Sequence, residues 1–309
     1  MVRARQLGVA LVALAAALWG LDALIRRPLA NSTGTSTIVF GEHVVLVAVA
    51  LPFVLPALRG VWRLGPRYLA AAVAIGAGSS AVATILFTQA FVDSDGVTPL
   101  VLQKVQPVVA VLAARAVLGE RAHPRFAWLL LPALVGTWLM AFPHPTHVDV
   151  HGARSSLYAL GAAVLWALGT VLGRYLSRGL RFEHVATLRF VFGLVGATIG
   201  VVVLGQAFWS STHDSLWIAV LALVTGAFAL ALYYWGLART PASTATLAEL
   251  AYPVTALIVG YLAFGTVLKP WQWVGVAVTT GVVALLPTRP AEETVAVPEQ
   301  PRRPAYATG

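Results

Sequence analysis

The sequence predicts an all-α integral membrane protein of ten transmembrane helices, laid out as two five-helix repeats of inverted topology. Three observations carry this. Of 309 residues 59% are apolar and 11% charged, where a soluble domain carries about 25% charged residues; mean hydropathy is +0.81. Long apolar runs fill nearly the whole chain, and its second half echoes the first at a fixed offset. The absence of cysteine excludes a disulfide framework. The net charge of +9 is carried by arginines scattered between apolar blocks, without a basic face or groove-reading motif, so no nucleic acid partner is expected.

A helix needs about 20 mostly apolar residues to cross the hydrocarbon core. Ten stretches qualify: 7–24, 39–58, 68–91, 98–118, 126–143, 155–176, 184–204, 216–237, 242–264 and 270–287. They leave only short loops. Runs such as 11–20 and 220–232 are continuously apolar, unlike the alternating strands of a β-barrel. The first run follows Arg3 and Arg5 as a signal peptide would, but it is longer than a usual signal core, and its removal would break the repeat. Residues 288–309 are rich in proline and charge, the composition of a disordered tail. With a cytoplasmic N-terminus, Arg59, Arg63, Arg67, Arg115, Arg121, Arg125, Arg174, Arg178, Arg181 and Arg239 fall inside. Only Arg26, Arg27, Arg154 and Lys269 fall outside, so both termini are expected in the cytoplasm. The bilayer, with its anionic headgroups, is one expected partner.

Shifting the chain by 146 residues aligns 86–108 with 232–254 without a gap. Leu86, Thr98, Pro107 and Val108 meet Leu232, Thr244, Pro253 and Val254, while Gly119 meets Gly265 and Pro124 meets Pro270. One residue of drift brings Trp19 onto Trp166. The layout is a first repeat over 1–143, an extracytoplasmic loop over 144–154, a second repeat over 155–287 and the tail. Five being odd, the second repeat lies upside down in the membrane. Such repeats mark secondary transporters, with a substrate site near the midplane.

Gln106-Pro107-Val108 followed by Leu118-Gly119-Glu120-Arg121, then Tyr252-Pro253-Val254, Gly265 and Pro270-Trp271-Gln272-Trp273-Val274-Gly275 make the chain resemble the EamA-type drug/metabolite transporters. Arg189 resembles the arginine common early in that family's seventh helix. The chain departs from the pattern at Thr266, where the family often has Glu, and at Glu42-His43, in whose place the resemblance also allows an arginine. The resemblance implies transport of a small metabolite, often export of amino acids or related compounds, from the bacterial inner membrane.

The fourth and ninth spans carry the candidate site. A proline cannot donate to the carbonyl four residues earlier, so Pro107 strands that of Gln103 and Pro253 that of Glu249. In lipid such a carbonyl must face protein, water or ligand. One turn on, Gln106 and Tyr252 share the face of Gln103 and Glu249. Either these four line a polar substrate cavity, or the kinks are re-satisfied by neighbours without a ligand. Glu249 lies roughly 10 Å inside its span at 1.5 Å per residue. A carboxyl so deep binds a substrate ammonium, carries a coupling proton, or pairs with Lys104 or Arg189. Those two cations can alternatively snorkel to an interface. Trp19 and Trp166 lie too deep for an interfacial belt, which leaves core packing or an aromatic cavity wall. Tyr233, Tyr234 and Trp235 end the eighth span near the start of the ninth, with Tyr234 the candidate for the cavity.

Gly76, Gly78, Ser79 and Ser80, like Thr225 and Gly226, read as close helix contacts. Asp22, Glu42 and His43 read as an outer gate or proton entry, or as solvated helix ends. His144, His147, Asp149 and His151 share a loop with two prolines; the spacing is unspecific and no metal site is expected. No nucleotide-binding or hydrolase motif occurs, and no cofactor is expected. The alternatives to a transporter are a membrane-embedded enzyme acting on a lipid or isoprenoid, and a non-transporting membrane subunit.

Overall fold

A computed structural model describes residues 2–30, 32–92, 102, 105–120, 124–142, 146, 153–265 and 267–286. Gln103, Lys104, His144, His147, Asp149, His151, Thr266 and the tail lie outside these residues. Among the described residues every regular element is a helix. The chain opens with α1 (Val2–Gly20) and α2 (Asp22–Ala30), broken at Leu21. α3 (Thr35–Leu64) runs past its predicted span to Gly65, whose φ of 96° ends it, and Pro66 starts α4 (Pro66–Val73). A π-helical turn, Ala74–Val82, joins α4 to α5 (Ala83–Val92). α6 (Gln106–Ala113) continues as a π-helix to Leu118, followed by α7 (Pro124–Ala141), α8 (Ala153–Leu176) and α9 (Phe182–Val203). α10 (Thr212–Leu221), π-helical Ala222–Phe228 and α11 (Ala229–Leu237) form one long rod. α12 (Ala242–Ala248), α13 (Ala251–Phe264) and α14 (Pro270–Ala284) complete the chain.

The helix ends follow from residue type. Gly119 and Gly265 take φ of 67° and 65°, the left-handed caps that close the helices before them, a conformation that costs an L side chain but not glycine. Pro124 and Pro270 then occupy first helical positions, where the missing N–H has no partner to lose.

Among the described residues seven helices are long and apolar enough to cross a membrane; Gln106–Leu118 and Trp128–Ala141 are apolar but shorter. Large apolar side chains face outward on several of them, including Leu51, Leu131, Leu157, Val203 and Leu262, which suits a bilayer as the surrounding solvent. The protein is a multi-pass membrane protein.

Inside, α1 packs on α11 and α13, whereas α8 packs on α5 and α6. α3 packs on α9, and α7 on α14. Small residues permit the closest crossings: a Cβ at Gly76 would meet the Gly193 amide, and one at Gly275 the Gly136 carbonyl. With lipid as apolar as leucine, such close van der Waals contact replaces the hydrophobic drive between helices.

Candidate functional site

A cavity of about 320 Å³ lies among these helices, lined from α1, α2, α5 to α9 and α11 to α13. The break between α12 and α13 forms part of its wall. Pro253 has no N–H for the Glu249 carbonyl, yet that carbonyl is not stranded: the Tyr252 N–H donates to it at 3.0 Å. The expectation of a free carbonyl is therefore corrected. The chain tightens to three-residue spacing, as the Leu250 N–H also does towards Leu247 at 3.2 Å, and satisfies its backbone internally. What faces the cavity is the side chain. The matching carbonyl, of Gln103, is outside the described residues.

Glu249 is held by three helices. Its Oε1 accepts from the Thr170 hydroxyl at 3.0 Å and the Tyr233 hydroxyl at 2.8 Å, and its Oε2 from Gln106 Nε2 at 3.0 Å. All three donors are neutral. The expected ion pair with Arg189 does not form, because Arg189 donates instead to Ser80 Oγ (3.3 Å) and the Tyr234 hydroxyl (3.2 Å). Nor does Arg189 snorkel away; it lines the cavity.

Trp19 and Trp166 both line the cavity. Trp19 Nε1 donates to the Thr225 carbonyl at 3.0 Å, inside the π-helical turn of the eighth span, and its ring sits 5.1 Å from that of Tyr233. Trp166 meets Phe87 edge-on at 4.9 Å. Gln106, Tyr252, Pro107 and Pro253 line the same space.

Three expectations change. Tyr233, not Tyr234, lines the cavity, because neighbours on a helix point about 100° apart; Tyr234 is fully buried behind it. Glu42 and His43 are not solvated helix ends: both are buried, 8% and 4% exposed, behind the wall rather than in it. Arg26, read as a loop residue, belongs to α2 and lines the cavity with Asp22. The helix restarts after Leu21 and carries Arg26 inward, where it bridges Asp22 and Glu42.

Sequence reasoning also missed Thr170 and the hydroxyls of Ser79, Thr84, Thr137 and Thr246. Ser79 sits in the π-helical turn of the third span, a feature frequent at functional sites; the Gly76–Ser80 run signalled it but read as packing. The Thr246 hydroxyl has no hydrogen-bond partner among the described residues.

A model of the EamA-like transporter family matches residues 6–142 and again 153–287. The chain belongs to this family. Among EamA-type relatives, it is 30% identical over 280 residues to riboflavin transporter ImpX of Fusobacterium nucleatum, covering 86% of this chain and 92% of the relative. It is 28% identical to the uncharacterized transporter YwfM of Bacillus subtilis, over 86% of this chain and 88% of the relative. Threonine/homoserine exporter RhtA of Escherichia coli is 28% identical over 161 residues, 52% of this chain and 53% of that protein. A crystal structure at 18% identity superposes with a TM-score of 0.73 over 89% of this chain and 95% of the other, which shows a shared fold. The resemblance drawn from the sequence motifs thus stands.

Proposed function

We propose that this EamA-type protein is a secondary transporter that moves a small organic metabolite by alternating access across the bacterial inner membrane. Ten helices form two inverted five-helix units, 1–143 and 155–287, with both termini cytoplasmic. The observation that carries the reading is Glu249: an ionisable side chain at a helix break, held among the described residues by neutral donors, in a cavity walled by both halves of the chain. Structural carboxylates in a membrane are usually paired; one left poised at a cavity marks a substrate or proton path.

The packing supports inversion. α1 rests on the third and fourth rods of the second half, while α8 rests on the third and fourth of the first, the exchange that a two-fold axis in the membrane plane produces. The π-helical turns of the third and eighth spans end at Val82 and Phe228, positions related by the same offset as the sequence repeat.

Aromatic walls beside a carboxylate and several hydroxyls suit a solute with a flat or apolar part and hydrogen-bonding groups. Amino acids and compounds related to them fit, as do the solutes named for ImpX and RhtA. Export is the direction proposed, and a proton carried on Glu249 the coupling.

The test is counterflow in proteoliposomes with L-threonine, L-homoserine and riboflavin, after a thermal-shift screen of the same compounds. A bound solute should raise Tm and exchange across the membrane. Because the chain has no cysteine, Thr246→Cys and Thr84→Cys also provide clean labelling sites. Labelling of neither in any state, with no counterflow of any solute, would overturn the proposal.

A further inference from the structure

Arg189 is bonded unlike Arg26, the other arginine lining the cavity. Arg26 is neutralised by Asp22 and Glu42. Arg189 reaches only two hydroxyls, Ser80 Oγ through Nε and Tyr234 through Nη1, and no carboxylate among the described residues pairs with it. A guanidinium carries five N–H donors in a fixed fork. The described residues therefore leave three of them, including both on Nη2, without a protein acceptor at a partly buried, cavity-lining position. A guanidinium without a direct ion pair in such a place is costly, and the partner its fork matches best is a pair of anionic oxygens.

The fork is also aimed. His43 Nδ1 lies 2.7 Å from the Val39 carbonyl, which only accepts, so Nδ1 carries a proton. In the neutral ring Nε2 then accepts from the Ser80 hydroxyl at 3.1 Å. Ser80 in turn accepts from Arg189 Nε. This directional chain crosses from α3 through the π-helical turn to α9. It depends on Gly193, where any Cβ would collide with the His43 ring. Tyr234 fixes the second corner.

We infer that Arg189 binds a carboxylate of the transported solute, with Ser80, His43 and Tyr234 as its positioning residues. Glu249, which makes no ion pair with Arg189 in the same cavity, then faces the solute's donor end. This assignment rests on the transport reading and deepens it.

The experiment uses matched probes on the purified full chain: L-phenylalanine with phenethylamine, and L-threonine with 1-amino-2-propanol, each amine lacking only the carboxylate. Affinities come from thermal-shift titration, and exchange from counterflow. The parent should prefer the carboxylate-bearing member of a pair. Arg189→Gln should weaken that member roughly 10- to 100-fold, the scale of a hydrogen bond to a charged group, and leave the amine nearly unchanged. Ser80→Ala, which removes one anchor and no charge, should reduce the same preference by a smaller factor. That ratio distinguishes aiming from general structural damage.

An unchanged preference in both variants overturns the assignment, as does failure of any carboxylate-bearing probe to bind the parent better than Arg189→Gln. Counterflow that persists with an unaltered ratio sinks only this inference. Absence of counterflow for every solute in the parent, with neither Thr246→Cys nor Thr84→Cys labelled in any state, sinks the transport reading itself.

Discussion

Glu120 and Glu249 are both carboxylates drawn into the helix bundle, and they are held by opposite means. At the end where α8 and α11 finish and α12 begins, Glu120 Oε1 accepts from Arg174 Nε (3.3 Å) and Arg178 Nη2 (3.4 Å), and Oε2 from the Ala242 amide (2.9 Å). Arg174 also donates to the carbonyls of Leu237 and Ala238, which end α11. Every group there has a counter-charge or a helix terminus to satisfy, and the cluster ties four chain segments together. Glu249 has an amide and two hydroxyls. A carboxylate compensated by cations is a fastening; one cushioned by neutral dipoles beside a cavity is free to exchange a proton or a ligand.

Substitutions that remove only the charge should separate the two roles. The largest effect belongs to Glu249→Gln: counterflow of the best probe falls at least tenfold and its pH dependence flattens, while Tm moves little because the amide keeps the shape and part of the hydrogen bonding. Unaltered counterflow across the pH range would remove Glu249 from the mechanism.

Glu120→Gln should do the reverse. Losing the charge between two guanidiniums costs about 2 kcal/mol, below the usual buried-pair figure because Arg178 is 40% exposed and screened. Tm drops, and the protein that remains folded still exchanges solute. Adding Arg174→Gln to this variant should cost less than in the parent, the non-additivity of residues in one network.

A smaller effect sharpens the comparison at the cavity. Tyr233→Phe deletes one neutral donor to Glu249 Oε1, worth about 1–2 kcal/mol of probe affinity. It leaves the ring against Trp19 in place. Thermal-shift titration reads it directly; an effect on Tm without one on affinity would make Tyr233 a packing residue. Trp19→Phe should be the mildest, about 1 kcal/mol in stability for the lost bond to Thr225.

Several features were legible in the sequence because they are local. Gly119 and Gly265 announced helix ends through their freedom at positive φ, and Pro253 announced a break in the ninth span, though not that Tyr252 would close the bond it opened. Trp19, Trp166 and Glu249 stood out as residues at depths where their types are costly or uncommon. Thr170, Ser79 and Thr84 did not, since small hydroxyls serve helix packing just as often. Tyr233 could not be told from Tyr234 because the eighth span is apolar on every side and so declares no inward face. Arg26 read as a cation outside the first span, 7–24, because nothing local shows that a second helix starts at Asp22 and runs on to Ala30.

The amino-acid order alone determined that the chain crosses a membrane in long helices, where several of them stop, and which family it belongs to. Apolar length, capping residues and short motifs each act within a few turns of backbone. The fold decided which side chains meet: that Gln106, Thr170 and Tyr233 close on Glu249, and that Arg189 is turned to Ser80 and Tyr234 instead. Between helices bathed in lipid, rotation is set by the fit of small residues such as Gly76, Gly193 and Gly275 against partners far along the chain, and no local pattern encodes that fit.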